Sequence, residues 1–422
     1  MPRKYYDYSN GPSLIQPHSI AKHSILRTYL AAYFQTLVSS PQQDIMRVTL
    51  VDGFAGGGLY THSETKKPVD GSPLIFLDAA KEAEFMINQG RQKSIKMEVD
   101  YFFIESDKPT FLHLEKTLKE KGFGDKIGKS INLLHSRFQD QAANVIDFIN
   151  KKSPKNGRSI FVLDQYGYTD VPTDLIRKIF QTLSRAEVIL TFGVDSLLNY
   201  ANDGNLTKSL LDTIGVPDIL QGRSIGDIKS SEREWRFFIQ SALYKGLVSK
   251  CGARHFTPFF IRNNKGHGDY WLIHLSQHHR ARDVMTEVHW QHNNYFIHYG
   301  GAGLDMFHMV GYDPDRDAGR YGQGSLGFEF DDPARQKSVY ALKEQIPRLI
   351  YADVDGMSFG ELFATTCNDS PASSGIYKEA IGSLILEKEL QVVSKEGGNR
   401  RSGQQIKQND QIVAPKQRRF IF

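Results

Sequence analysis

The sequence predicts an α/β protein built on a parallel β-sheet, and three observations predict it. From about Met46 to Thr191, short apolar runs alternate with amphipathic stretches, the βαβ rhythm that makes strands parallel. The first run passes straight into a glycine turn, TLVDGFAGGGLY (Thr49–Tyr60). Later, Arg254–Arg262 and Asp269–Leu275 alternate apolar and polar residues around NNKGHG (263–268), a hairpin signal that closes the sheet with antiparallel strands.

Bulk composition bounds the rest. A chain of 422 residues accommodates two or three domains. With 40% hydrophobic and 24% charged residues it can bury a sizeable core. The net charge of +4 does not by itself point to a polyanionic partner. Cys251 and Cys367 lie far apart and outside any metal-spaced pair, which argues for a reducing compartment and against a thiolate zinc site. No apolar run is long enough to span a bilayer, and MPRKYYDYSNGPS lacks the apolar core of a signal peptide. The expected location is the cytoplasm, with no membrane association.

In chain order, residues 1–17 read as an irregular arm with Pro12 and Pro17. Ile20–Val38 is an amphipathic helix, with Ile25, Leu26, Tyr29, Leu30, Tyr33 and Phe34 at helical spacing. Lys22 and His23 sit in its first turns. Positive charge there opposes the helix dipole, so they are either solvated or kept for a ligand. Met46–Val51 is the first strand. Gly71-Ser72-Pro73 opens a helix to Asn88, with Ser72 as N-cap and Pro73 at the first helical position. Val99–Ile104, Ile131–Leu134, Ser159–Leu163 and Ala186–Thr191 are the next strands. Helices Lys108–Lys121, Phe138–Ile149 and Asp174–Leu183 lie between them.

Residues 196–250 break this rhythm and read as a helical insertion, with Glu232–Leu247 its last helix. A helix from about Ala281 to His292 follows the hairpin. Residues 300–333 are rich in glycine and aspartate, a linker, and Ala334–Tyr351 resumes a helix. The last segment reads as helix Ser358–Thr366, helix Ser373–Glu389, strand Gln391–Ser394, a turn over 397–403, then edge strands Gln411–Val413 and Arg419–Phe422. Two helices and a β-wing form a winged helix. From Lys395 onward, seven Lys or Arg (395, 400, 401, 407, 416, 418, 419) face two acids, Glu396 and Asp410. Arg400, Arg401, Lys416 and Arg418 are therefore candidates for contacting nucleic-acid phosphates. Many winged helices instead mediate protein contacts.

Ligands in parallel sheets bind beyond the carboxyl ends of the strands. Those ends here are Asp52, Glu105, His135-Ser136 and Asp164-Gln165-Tyr166-Gly167. Three of the four carry a carboxylate, which points to one shared site. Glycines after Asp52 let the backbone turn sharply and approach a ligand; the plainer reading is a tightly packed strand-turn-helix. His274, His278, His279, His289, His292 and His298 crowd one region but lack accompanying carboxylates, so no metal site is predicted. Arg280 and Arg282 can meet phosphate or pair locally. No G-x-S-x-G elbow is present.

The D-x-F-A-G-x-G run resembles the first motif of class I S-adenosylmethionine (SAM) dependent methyltransferases. More of the chain resembles the three-Cys-motif partner (TcmP) family: KHSILRTYL (22–30), VDGFAGGGLY (51–60), GSPL (71–74), FFIESD (102–107), FVLDQYG (161–167), LIHLSQHHRARDVMTEVHW (272–290) and RRSG (400–403). The resemblance implies a Rossmann-like class I methyltransferase domain over 18–299. A linker with a connecting helix over 300–351 and a winged helix over 352–422 follow. It implies SAM as cofactor, with Asp52, Gly53, Phe54, Ala55, Gly56 and Gly58 at its amino-acid end. Glu105 would meet the ribose hydroxyls, and Phe138 and Gln139 would flank the adenine. It also implies a three-Cys-motif, radical-SAM-like partner, in mobile-element or phage-defence settings.

At the fourth strand, amino-methyltransferases carry D/N-P-P-aromatic. Asp164 and Tyr166 keep the acceptor and the aromatic ring, but Gln165 replaces proline and its fixed torsion. Asp164 and Tyr166 are the catalytic candidates, and Asp164 is also expected at the cofactor; the alternative for Asp164 is a structural cap for the following loop. The expected function is methyl transfer from SAM to nucleic acid, at a base nitrogen. A catalytically silent SAM- or nucleotide-binding adaptor is the alternative. A metal-dependent nuclease would need Asp52, Glu105 and Asp164 to converge.

Overall fold

The computed structural model describes residues 6–9, 11–38, 42–154, 157–165, 170–193, 209, 211–213, 215, 222–224, 226–227, 235–261, 270–292, 296–297, 301–304, 306, 330–353 and 355–415. Most of the 196–250 insertion, Tyr166, His298, the 263–268 turn, Lys416, Arg418 and the 419–422 strand lie outside them. Two units divide the chain, one of Met1–Trp235 and Ala242–Val288, the other of Arg236–Ser241 and His289–Phe422.

The first part of the chain runs β1 (Leu14–Ile15), α1 (Pro17–Leu37), β2 (Ile45–Asp52), β3 (Leu59–His62), β4 (Pro68–Asp70), α2 (Ser72–Asn88), β5 (Lys96–Glu105) and α3 (Lys108–Glu120). It continues with β6 (Ile131–His135), α4 (Phe138–Lys152), β7 (Ser159–Leu163), α5 (Thr173–Thr182), β8 (Ala186–Gly193), α6 (Trp235–Cys251), β9 (His255–Ile261), β10 (Tyr270–Ser276) and α7 (His279–Gln291).

Seven strands of the first unit stand in the order β9-β10-β8-β7-β2-β5-β6. The five from β8 to β6 are parallel, and β10 runs antiparallel to both β8 and β9. Chain order reverses between β2 and β7, which opens a crevice at their carboxyl ends. β2 reads as an unbroken apolar run because both its faces are covered: Val48, Leu50 and Val51 are all buried. At the far side of the sheet, the Tyr29 hydroxyl of α1 donates to Glu187, and His274 Nε2 lies 2.9 Å from Glu187 Oε2. His274 is thus a core residue held through Nε2, while its buried Nδ1 has no hydrogen-bond partner.

Local chemistry sets the helix starts. Asp107 caps α3 by accepting from the Thr110 backbone N–H at 3.2 Å. Pro17 opens α1 three residues earlier than the apolar spacing indicates. Ser72 is not the cap of α2. Gly71 takes that position.

The arm differs from the irregular segment expected over 1–17. Leu14 and Ile15 pair in parallel with Thr61 and His62 of β3, and β4 pairs with β3 on its other edge. Tyr8 and Ile15 are buried with Tyr60 in a small core of their own. Aromatic burial anchors the segment.

In the second unit, β11 (Phe296–Ile297) and α8 (Asp332–Tyr351) precede β12 (Met357–Ser358), α9 (Phe359–Thr366), α10 (Ser374–Leu386), β13 (Gln391–Val393) and β14 (Gln411–Val413). β14 lies between β12 and β13, antiparallel to both. Ser358 caps α9 by accepting from the Glu361 N–H at 3.2 Å. Helix α8 is no mere connector: Leu342, Ile346 and Ile350 share one buried core with Phe359, Phe363, Ile376 and Tyr377. The contacts divide the two units at Val288/His289.

Candidate functional site

The glycine turn is held by both neighbours of β2. Gly53 N–H donates to Val162 O and Ala55 N–H to Ile104 O, each at 3.0 Å. A Cβ on Gly53 would stand 2.7 Å from Leu163 and 3.0 Å from the Phe138 ring, so no larger residue fits. Gly56 (φ +61°) and Gly58 (φ +77°) occupy the left-handed region that glycine enters without strain. Asp52 beneath them is fully buried. Its Oδ1 accepts from Phe54 N–H at 3.2 Å, while Oδ2 has no hydrogen-bond partner. Burial first, and then the charges of Asp164 and Glu105, push its carboxyl up to about 7, against the Ser72 hydroxyl and the Phe54 N–H.

Over this turn lies a cavity of about 370 Å³, within the range of small-molecule sites. The ends of β2, β5 and β7 contribute Gly53, Phe54, Gly56, Glu105, Asp164 and Gln165 to its lining; α1 adds Lys22 and His23, and the arm adds Tyr6 and Tyr8. Glu105 Oε2 accepts from Gly56 N–H at 3.0 Å and Oε1 from Asp107 N–H at 2.8 Å. Each oxygen keeps a further lone pair for a hydroxyl donor. Burial raises the Glu105 pKa despite these two N–H groups.

Asp164 is engaged from across the cavity. Lys22 Nζ lies 2.5 Å from its Oδ1 and 2.6 Å from its Oδ2. Burial alone would raise this carboxyl. The Lys22 charge, the Lys22 hydrogen bonds and one from Thr191 outweigh it and hold Asp164 below the usual carboxylate range. Next to Lys22, burial pushes His23 down to about 4, only partly offset by Asp164, so the imidazole is neutral near pH 7.

Of the residues expected at a cofactor, Gly53, Phe54, Gly56, Glu105, Phe138, Gln139 and Asp164 line the cavity. Asp52 and Ala55 lie fully buried behind it, and Gly58 is also buried. Phe138 is only 2% exposed, its ring packed edge-on to Phe161 at 6.4 Å. Gln139 Nε2 donates to Asp170 O at 2.5 Å. Gln165 is buried, and its Oε1 accepts from Val171 N–H at 3.0 Å. Gln165 therefore ties the chain on the far side of the motif by a side-chain bond where proline would act through its ring.

Sequence reasoning missed the arm. Tyr8 packs on the glycine turn so closely that a Cβ on Gly57 would overlap its ring. It also lies 4.7 Å from His113, whose Nδ1 is 2.7 Å from Gly57 O. Tyr6 and Tyr60 meet edge to face at 5.3 Å. The aromatic cluster YYDY near the N-terminus was the available signal.

In the winged helix, Arg400 is committed within the protein: its Nε and Nη2 bond the two oxygens of Asp410 at 2.7 and 3.0 Å. Burial of Asp410 made a partner obligatory. Arg401 is exposed. The loop does not project freely, because Gly403 packs on α10, where a Cβ at Gly382 would stand 2.8 Å from Gly403 N.

This strand order, with its reversed β10, is that of a class I methyltransferase-like Rossmann fold, joined to a C-terminal winged helix. Residues 311–397 match the GMT-like wHTH (winged helix-turn-helix) domain family. Similar solved structures include Trm1 from Pyrococcus horikoshii in complex with SAM, at 12% identity and TM-score 0.32, covering 94% of this chain and 91% of that one. The human methyltransferase 10 domain containing protein is 11% identical with TM-score 0.28, covering 60% and 83%. A putative SAM-dependent methyltransferase from Methanococcus maripaludis is 13% identical with TM-score 0.26, covering 62% and 90%. No curated protein sequence matches the chain. The fold assignment rests on the strand order itself.

Proposed function

We propose that this chain is a SAM-dependent methyltransferase acting on nucleic acid, at a base nitrogen. The observation that carries the proposal is that the glycine turn, Glu105 and Asp164, from three neighbouring strands, line one cavity at the point where strand order reverses. The glycine turn would take the amino-acid end of SAM and Glu105 the ribose hydroxyls. SAM, when bound, supplies an electrophilic methyl group. The protein's part is to hold an acceptor nitrogen in line with it and to exclude water. Asp164, kept anionic by Lys22, would accept a hydrogen bond from that acceptor and orient it, and Tyr166 would stack on the base. The winged helix supports nucleic acid as the substrate class. The TcmP resemblance supports a three-Cys-motif partner, which affinity co-purification from a host expressing both would test.

A second reading is a silent SAM-binding adaptor. It is favoured by the Lys22 ammonium, which already engages both oxygens of Asp164, and by Gln165 in place of proline. The nuclease alternative lacks support, since among the described residues no three His, Cys, Asp or Glu side chains are placed to share a metal ion.

Calorimetric titration with SAM and S-adenosylhomocysteine tests the common ground, with Glu105→Ala as control and circular dichroism to confirm its fold. Binding lost in the control supports the site. Absence of binding to the wild type sinks both SAM readings. Transfer of labelled methyl groups to total RNA or genomic DNA, abolished in Asp164→Ala, separates enzyme from adaptor.

A further inference from the structure

A second site lies at the opposite end of the sheet. His255, the first residue of β9, pairs with Ser276, the last of β10, and Ser276 pairs with Glu187 near the start of β8. This is the edge where the parallel strands begin, a strand length of roughly 25 Å along the sheet and three strands across it from the end of β7. The Arg254 N–H donates to Ser276 O at 3.2 Å, which brings the chain before β9 beside the turn leading into α7. The two segments 252–257 and 276–283 carry Arg254, Arg280 and Arg282, and His255, His278 and His279, against one carboxylate, Asp283.

These side chains are neighbours in space. The His255 and His279 rings are 5.9 Å apart and those of His278 and His279 4.5 Å. His278 Nδ1 accepts from the Arg280 backbone N–H at 3.0 Å, so its Nε2 carries the proton of the neutral ring and is a donor. Arg254 and His278 are exposed, and the Arg280 side chain is 53% exposed although it pairs with Asp283. The largest influences on His255 push one way: burial first, then His279, Arg282, His278 and Arg254, which lower it to about 4. Clustered arginine and histidine side chains offer the donors that a phosphodiester accepts from, and the N-terminus of α7 adds to them.

We infer that Arg254, His278 and Arg280, with His255 and His279 between them, form a docking site for the phosphate backbone of a nucleic acid. The inference rests on the nucleic-acid reading above and gives it a place in the first unit. A strand bound here and reaching the cavity spans at least about 30 Å, or roughly nine nucleotides at 3.4 Å each. The substrate is therefore a polymer rather than a free nucleotide.

The test is fluorescence anisotropy of the full chain with labelled 25-nucleotide RNA and DNA, single- and double-stranded, across a salt series. The variants are Arg254→Glu/Arg280→Glu, the single Arg254→Glu (which leaves the Arg280–Asp283 pair intact), and Arg401→Glu/Lys407→Glu in the winged helix. Thermal melting confirms that each folds. The patch double variant is expected to lose at least 10-fold in affinity, with a salt slope shallower by about 1.5. The single variant should lose roughly 3-fold. Wild-type affinity in both patch variants overturns the docking site while leaving the nucleic-acid reading intact. No binding of any probe by the wild type overturns both.

Discussion

Lys22 and Asp164 are separated by 142 positions in sequence, yet the Lys22 ammonium bonds both oxygens of the Asp164 carboxylate. The pair joins the first long helix to the end of β7. Removing Lys22 leaves an uncompensated, largely buried carboxylate. Lys22→Met is expected to destabilise the protein by about 1–3 kcal/mol, below the figure for a fully buried pair because the Asp164 side chain is 33% exposed. Asp164→Asn combined with Lys22→Met should recover part of that loss. Urea denaturation of the four-member cycle measures it. The pH dependence has a definite sign. The Asp164 pKa is depressed in the folded state, so its stabilisation is complete above the unfolded carboxylate pKa and is lost as pH falls through the folded one. Asp164→Asn should remove that part of the acid transition.

Asp52 has the opposite sign. Its folded pKa of about 7 stands above the ordinary 3.8, so the folded state binds the extra proton between those values. Stability should fall as pH rises from about 4 to 7 through this residue, then level off. Asp52→Asn should flatten that slope and match or exceed wild-type stability above pH 7. Melting temperatures from pH 4.5 to 8.5 check this, and an unchanged slope in the variant would count against the buried-acid assignment.

The arm makes a local prediction. Tyr8→Ala and Gly57→Val both remove the seat of Tyr8 on the glycine turn. Because the arm has its own small core, the global melting temperature should change by only a few degrees, while limited proteolysis before residue 16 accelerates. SAM affinity should fall about 10-fold, because Tyr8 lines the cavity.

Two adjacent arginines should behave differently. Arg400→Ala strands Asp410, whose side chain is 2% exposed, and should measurably destabilise the winged helix. Arg401→Ala should leave stability unchanged within about 0.5 kcal/mol. Equal effects in chemical denaturation would contradict the ion-pair account.

Much of the fold was legible because strand runs such as Ser159–Leu163 are wholly buried and bounded by turn residues, which fixes both type and extent. The convergence of Glu105 and Asp164 followed from strand ends alone. What was not legible depended on partners distant in sequence. Nothing near Arg400 shows that Asp410 claims it, and the sequence around Lys22 does not name Asp164. The arm looked irregular because its two-residue strand has no periodicity to detect; its order comes from tyrosines packing on Tyr60 and Gly57. Helix α8 read as a connector because its buried stripe of Leu342, Ile346 and Ile350 matches any amphipathic helix until its companions are seen.

The central position of β2 bears on how the chain is made. One edge of β2 pairs with β5, the other with β7, which begins at Ser159, 107 residues after Asp52. At a synthesis rate of about 5–20 residues per second, that second edge stays open for roughly 5–20 s on the ribosome. An open apolar edge is a template for pairing with another chain. Nascent chains stalled before Ser159 should therefore be more aggregation-prone than those extended past Gly193, where β8 has covered the outer edge of β7.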